Sequence, residues 1–214
     1  MKKLLIIIGI ILVFGIQGQK NEKKPTKVLV NEHKLPVEIK YHRVKTLLCK
    51  VPDGQRDEFV RLLKTFADER GFDWRFCLLV MFNESGLNPK TISGNYMGLV
   101  MFGNSARKIL GVSKQELYEM NYVEQTKAAI KIWESSEKMM RTTIDGYFSL
   151  VMCNFLPAYM NYHHNSPLPV SEQIKKQNYP LLNKQGELTK ESILNFSRKR
   201  VNLYKELKYF RGKF

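Results

Sequence analysis

Glu84 is the residue of this chain best placed for acid chemistry. It ends a largely apolar run from Trp74 to Phe82 and is followed at once by Ser85, Gly86, Leu87, Asn88 and Pro89. A second block, Gly98-Leu99-Val100-Met101-Phe102, comes after a glycine-punctuated loop. An acid at the end of an apolar helix, with turn formers behind it, stands where a buried element reaches the surface. Burial penalises the charged form of a carboxyl and can raise its pKa to ~6, which leaves a proton to give near neutral pH. Breaking a glycosidic bond needs such a proton on the leaving oxygen. An ordinary surface Glu at a helix end fits the same placement, although a negative charge there opposes the helix dipole.

The elements that must position Glu84 read as helices. Phe59, Val60, Leu62, Leu63, Phe66 and Ala67 recur at helical spacing after Asp53, and Gly71 stops that helix. Asp73 is placed to cap the next one, Trp74 to Glu84, whose nearly all-apolar surface predicts a buried central helix. A loop over 85–97 carries Gly86, Pro89, Gly94 and Asn95, and a short helix over 104–110 closes at Gly111. Ser113 with Glu116 and Asn121 with Glu124 are capping boxes. The second opens a longer helix to Met140, with Val123, Ala128, Ile130, Ile132 and Trp133 expected on its apolar face. Asp145 is expected to cap a buried helix, Tyr147 to Phe155, ended by Pro157. Residues 163–188 hold Pro167, Pro169, Pro180 and Gly186 and read as a connection, with His163 and His164 on a surface loop. Thr189 then caps a last helix with Ile193, Phe196, Val201, Tyr204 and Leu207 inside. Its outer side is basic (Lys190, Arg198, Lys199, Arg200, Lys205, Lys208 and Arg211), which fits a solvated face or a surface for anionic polymers and lipids. No segment sustains period-two alternation, so the expected class is mainly α.

The chain has 214 residues, 43% hydrophobic, and a formal net charge of +15. Such length and apolar content suit one domain with tails, and the charge points to an anionic partner: nucleic acid, membrane or wall polymer. Lys2 and Lys3 precede an apolar run from Leu4 to Ile16, and Gln17, Gly18 and Gln19 follow. That pattern describes a secretory signal cleaved after Gly18, or an uncleaved anchor. The run is shorter than the ~20 residues a spanning helix needs. Export argues against nucleic acid and leaves a wall or membrane surface in the periplasm or outside the cell. The expected organisation is a signal over 1–18, a Lys-rich arm over 19–46, a catalytic domain over 47–162 and a C-terminal extension over 163–214. Lys27-Val28-Leu29-Val30 is a candidate strand within the arm. Cys49, Cys77 and Cys153 are too few and scattered for a disulfide framework, and His33, His42, His163 and His164 show no metal spacing with them. Cys77 is expected to be a buried thiol. No metal or cofactor is expected.

Glu84-Ser85-Gly86-Leu87-Asn88-Pro89 followed by Gly98-Leu99 resembles the catalytic signature of the soluble lytic transglycosylases and goose-type lysozymes. Their pattern is Glu-Ser-x-x-x-Pro, a loop, then Gly-Leu-Met-Gln. The chain resembles more closely a branch of phage-associated wall hydrolases, whose second block reads Gly-Leu-Ile-Gln-Phe and soon Ser/Thr-Ala. Here Ser105-Ala106 and Leu110-Gly111 follow Phe102. The likeness extends from Phe72 to Tyr159. It implies a lysozyme-like, mainly helical fold with a peptidoglycan cleft. It implies that Glu84 protonates the oxygen between N-acetylmuramic acid and N-acetylglucosamine, then acts as base while the muramyl 6-hydroxyl closes a 1,6-anhydro ring. It asks for no second catalytic carboxylate. It assigns Ser85 to orienting the substrate or the acid, and the backbone at Gly98 and Leu99 to lining the cleft. Met101, Tyr96 and Asn154 complete the expected substrate-binding set, and Tyr159 is a further cleft candidate. Trp74, Phe76, Trp133 and Phe148 are expected in the core.

Two positions depart from the family pattern. The Gln of the second block is Met101, and the Tyr-Asn of the late helix is Cys153-Asn154. Each change removes a polar partner from the site, while the acid is kept. The alternative reading is a weak or inactive wall-binding or assembly protein on the same fold. A third is a membrane-surface protein that uses the N-terminal run and the basic last helix. Residues 181–189 resemble a calcium-loop-like segment of some phage relatives, Asp-x-Asn-x-Asp-Gly-x-Ile-Thr. They keep Asn183, Gly186, Leu188 and Thr189 but carry Leu181 and Gln185 at the two Asp positions. Calcium favours several oxygen ligands with carboxylates dominant, so a bare turn leading into the last helix is expected.

Overall fold

A computed structural model describes residues 46–163 and 165–196. The apolar run, the arm with its candidate strand, His33, His42, His164 and the basic helix beyond 196 lie outside the described residues.

The protein is mainly helical. Helix α1 (Asp53–Asp68) buries Phe59, Leu63, Phe66 and Ala67 along one stripe. Helix α2 (Arg75–Ser85) is buried at Cys77, Leu78, Val80, Met81 and Phe82, as its all-apolar surface predicts. Trp74 flanks its first turn, and Asp73 serves from one position further out, accepting the Arg75 N–H at 2.9 Å. Gly86 closes α2 at φ +68°, in the left-handed region that glycine enters freely.

A hairpin follows, β1 (Ile92–Ser93) paired antiparallel with β2 (Tyr96–Met97) around Gly94 and Asn95. Two-residue strands are too short to show a period, which is why alternation did not reveal them. Helices α3 (Asn104–Leu110), α4 (Lys114–Glu119) and α5 (Tyr122–Met140) begin and end where the caps and glycine predict, and both capping boxes form. The buried stripe of α5 differs from expectation. Gln125, Thr126, Ala129, Trp133 and Ser136 face inward, while Val123, Ile130 and Ile132 are only half-buried. Of the polar residues in that stripe, Gln125 bonds to loop backbone, whereas Thr126 and Ser136 donate to the carbonyls of Tyr122 and Ile132 within α5 itself.

Helix α6 (Tyr147–Phe155) matches its expected span, but Asp145 does not cap it. Gly146 flanks the first turn, and Ser149 Oγ accepts the N–H groups of Asp145 and Gly146 at 2.9 and 3.0 Å. The connection is more ordered than its prolines suggest. It holds α7 (Glu172–Gln177) and a 3-10 turn, Tyr179–Leu181. Leu168, Ile174, Leu181, Leu188 and Ile193 join the same hydrophobic core as α1, α2, α5 and α6, so the extension is packed on the domain. Asn183 Oδ1 accepts the N–H groups of Gln185 and Glu187, keeping the turn. Thr189 caps the helix over 190–196, its Oγ1 accepting Ser192 N–H at 3.0 Å. No helix among the described residues is long and apolar enough to cross a membrane.

Candidate active site

The last turn of α2 carries Glu84 to a cavity of about 320 Å³. The opposite walls come from the hairpin, from α3 and α5, and from the end of α6. Tyr96, Met101 and Asn154, all expected on the substrate side, line this cavity together with Glu84. Among the described residues lining it, Glu84 and Lys108 are the charged ones, and no other carboxylate is present. Ile109, Ile132 and Met139 give the α3–α5 side apolar surface, interspersed with Ser105, Lys108 and Ser136.

Ser85, Gly98 and Leu99 sit elsewhere than expected. All three are buried behind the cavity wall rather than on it. The loop Gly98–Met101 is pinched shut by paired bonds between Met97 and Phe102, at 2.7 and 3.3 Å. Leu99 is fully buried, and its carbonyl accepts from Ser85 Oγ at 2.9 Å. The single Ser85 hydroxyl proton also has Met81 O within 3.0 Å, and the same Oγ accepts Asn88 N–H at 3.2 Å. Ser85 therefore fixes the turn after the acid, and its side chain is committed to protein.

Sequence reasoning missed the residue on the other side of this loop. Gln125 is fully buried, and its Oε1 accepts Leu99 N–H at 2.8 Å. Its Nε2 donates to Pro89 O at 2.9 Å and Leu117 O at 3.1 Å. The available signal was an amide in the midst of an inward helical stripe. Gly98 is shaped to it: φ is +79°, and a Cβ there would stand 2.5 Å from Gln125 Oε1. Gly103 was missed as well. A Cβ on it would lie 2.9 Å from Tyr96 Cε1, so the tyrosine ring occupies the space a side chain at 103 would need. Arg107 ties the hairpin to α3 by donating to Asn95 O at 3.0 Å and Phe102 O at 3.3 Å.

Asn154 is held by Trp133, whose Nε1–H donates to its Oδ1 at 3.2 Å, and its amide reaches Val100 O at 3.5 Å. Cys153 is buried, and burial pushes its thiol up to about 12. It stays protonated and is no nucleophile at neutral pH. Burial also raises the Tyr96 phenol, which remains a donor. Tyr159 is absent from the lining and instead donates its hydroxyl to Pro169 O at 3.2 Å, binding the extension. Cys49, Cys77 and Cys153 are free thiols, Cys77 fully buried. Among the described residues no group of three His, Cys, Asp or Glu is arranged to hold a metal ion.

One carboxyl, three amides (Asn95, Asn104 and Asn154) and a phenol around a partly apolar hollow can carry out proton transfer on a polar ligand. They hold no paired nucleophile and base. No family model matches the chain, and no curated protein or solved structure matches it either.

Proposed function

We propose that this protein is an exported, lysozyme-like enzyme that cleaves peptidoglycan as a lytic transglycosylase. Glu84 gives a proton to the oxygen between N-acetylmuramic acid and N-acetylglucosamine. It then takes one from the muramyl 6-hydroxyl, which closes the anhydro ring. The observation that carries this reading is Glu84 at the end of a buried helix, the one carboxylate among the described residues lining a hollow of about 320 Å³. Hydrolysis with inversion or by a covalent intermediate calls on a second carboxylate across the scissile bond. An internal hydroxyl nucleophile removes that need. The hairpin tyrosine Tyr96 and the amide of Asn154 are suited to holding a sugar ring. The net charge of +15 favours an anionic wall, and the positive, apolar N-terminus favours export.

A second reading has its own support. Met101 presents a thioether to the cavity and Cys153 a buried thiol, so two polar groups of the resembled signature are lacking. A glycan-binding protein with little turnover would have that composition.

Incubation of wild type and Glu84→Gln with purified peptidoglycan, followed by mass spectrometry of soluble muropeptides, decides between them. Anhydro-muramyl products from wild type, reduced at least about a hundredfold in Glu84→Gln, are expected. Reducing-end products would make the protein a lysozyme. Binding to sedimented wall without release from either form would leave the glycan-binding reading.

A further inference from the structure

We propose that Gln125 is a positioning residue of this site, clamping the Leu99 peptide between α5 and Ser85 and so setting where Glu84 stands against the cleft wall. The proposal rests on the enzymatic reading above only for its kinetic consequence.

A buried carboxamide is costly unless its polar atoms are satisfied. Gln125 is fully buried, and each bond it makes goes to backbone rather than to another side chain. Those backbone groups are not scattered. Pro89 closes the turn after the acid, Leu99 is the centre of the second loop, and Leu117 belongs to α4. One amide thus joins the two loops of the site to two helices. Leu99 is gripped from both ends, its N–H by Gln125 Oε1 at 2.8 Å and its carbonyl by Ser85 Oγ at 2.9 Å. Ser85 is the immediate neighbour of Glu84. The route from α5 to the acid is therefore two short hydrogen bonds and one peptide link.

Space around the clamp is fitted to it. Gly98 leaves no room for a side chain beside Oε1, and its amide donates to Thr91 O at 2.9 Å. Thr91 Oγ1 donates in turn to Ser85 O at 3.0 Å. An apolar residue at 125 would fill the same volume but leave Leu99 N–H and Pro89 O buried without partners. The loops would then be free to shift, and the distance from acid to substrate with them.

The test uses the full chain as wild type, Gln125→Met and Gln125→Glu, with amide hydrogen exchange and muropeptide release at saturating wall. In Gln125→Met, exchange at Leu99 should rise about tenfold or more beyond any rise at the α1 core amide Leu63. Turnover should fall about tenfold, with KM within about twofold. Gln125→Glu keeps the acceptor for Leu99 but has a proton to donate only when its buried carboxyl is protonated. Its Leu99 protection, relative to wild type at the same pH, should therefore recover as pH falls. Should Gln125→Met fail to fold, this acid recovery alone decides. Exchange at Leu99 that rises only in step with Leu63, an unchanged turnover rate, or no recovery in acid would overturn the proposal. A wild type without turnover would instead sink the enzymatic reading, while the exchange measurements still decide the clamp.

Discussion

At Gly103 the absence of one methyl group decides where Tyr96 lies. The backbone there, φ −86° and ψ −177°, is open to any residue, so the constraint is contact and not strain. Gly103→Ala would drive its Cβ into the ring, 2.9 Å from Cε1, and displace Tyr96 from the wall it forms. If the proposed glycan site is correct, glycan affinity, measured by calorimetry in a Glu84→Gln background, is expected to weaken about three- to tenfold, the scale of one aromatic contact. Thermal stability should hardly move, because Gly103 is at the surface of the cavity. Unchanged affinity would remove Tyr96 from the binding wall. Met101 shows the opposite economy. It holds φ +55°, a conformation that costs a residue other than glycine ~1–3 kcal/mol. The loop closed by Met97 and Phe102 imposes it, and it turns the Met101 side chain to the cavity.

At the scale of elements, the cleft is only as fixed as the helices behind it. Arg70, just beyond α1, reaches Glu137 near the end of α5 by two parallel bonds, Nε to Oε1 at 3.0 Å and Nη2 to Oε2 at 2.8 Å. Both side chains are nearly buried, 12% and 13% exposed. Arg70 also lies over the Phe66 ring at 3.9 Å, and Glu137 Oε1 accepts Ile144 N–H at 2.8 Å. The carboxylate beside it holds the Arg70 guanidinium above its ordinary pKa. Glu137→Ala leaves a nearly buried cation without its closest carboxylate and the Ile144 N–H without its acceptor. It is expected to destabilise the fold by about 3 kcal/mol in urea unfolding. A loss under about 1 kcal/mol would mean that water reaches the pair and screens it. Ser136 and Met139, which line the cavity, flank this anchor, so loosening it should also slow turnover.

For the molecule as a whole, the extension is joined to the domain by a buried cation. Lys190 is 7% exposed, donates to Met160 O at 2.7 Å and Tyr162 O at 2.9 Å, and lies 5.6 Å over the Phe148 ring. Burial lowers its pKa below the ordinary 10.5, opposed by Asp145. The folded chain thus releases this proton before the unfolded chain does. Between the lowered value and 10.5 the unfolded state binds more protons, so raising pH through that window stabilises the fold. The unfolding free energy of wild type relative to Lys190→Met should therefore grow as pH rises toward 10.5. A flat or falling difference in urea titrations would show that the ammonium is solvated.

Local chemistry made much of this fold legible in advance. The reciprocal bonds of Ser113 with Glu116 and of Asn121 with Glu124 involve residues three apart, so the starts of α4 and α5 followed from sequence. The apolar circumference of α2 gave its burial, and with it the position of Glu84 at the rim. Where several neighbours compete for one bond, sequence failed. Gly146 rather than Asp145 holds the cap position of α6, with Ser149 Oγ accepting its N–H, and Tyr159 turned to Pro169 instead of the cavity. Only the tertiary structure could show that Ser85 and Leu99 stand behind the cavity wall, or that Gln125 accepts the Leu99 N–H there. Their partners lie on different elements, and a hydrogen bond between distant segments leaves no periodic trace in the chain. The sequence by itself determined that Glu84 stands at the end of an apolar helix, because helix ends and turn formers act over a few residues. The tertiary structure decided what surrounds that residue, because burial is a property of packed elements and not of any one of them.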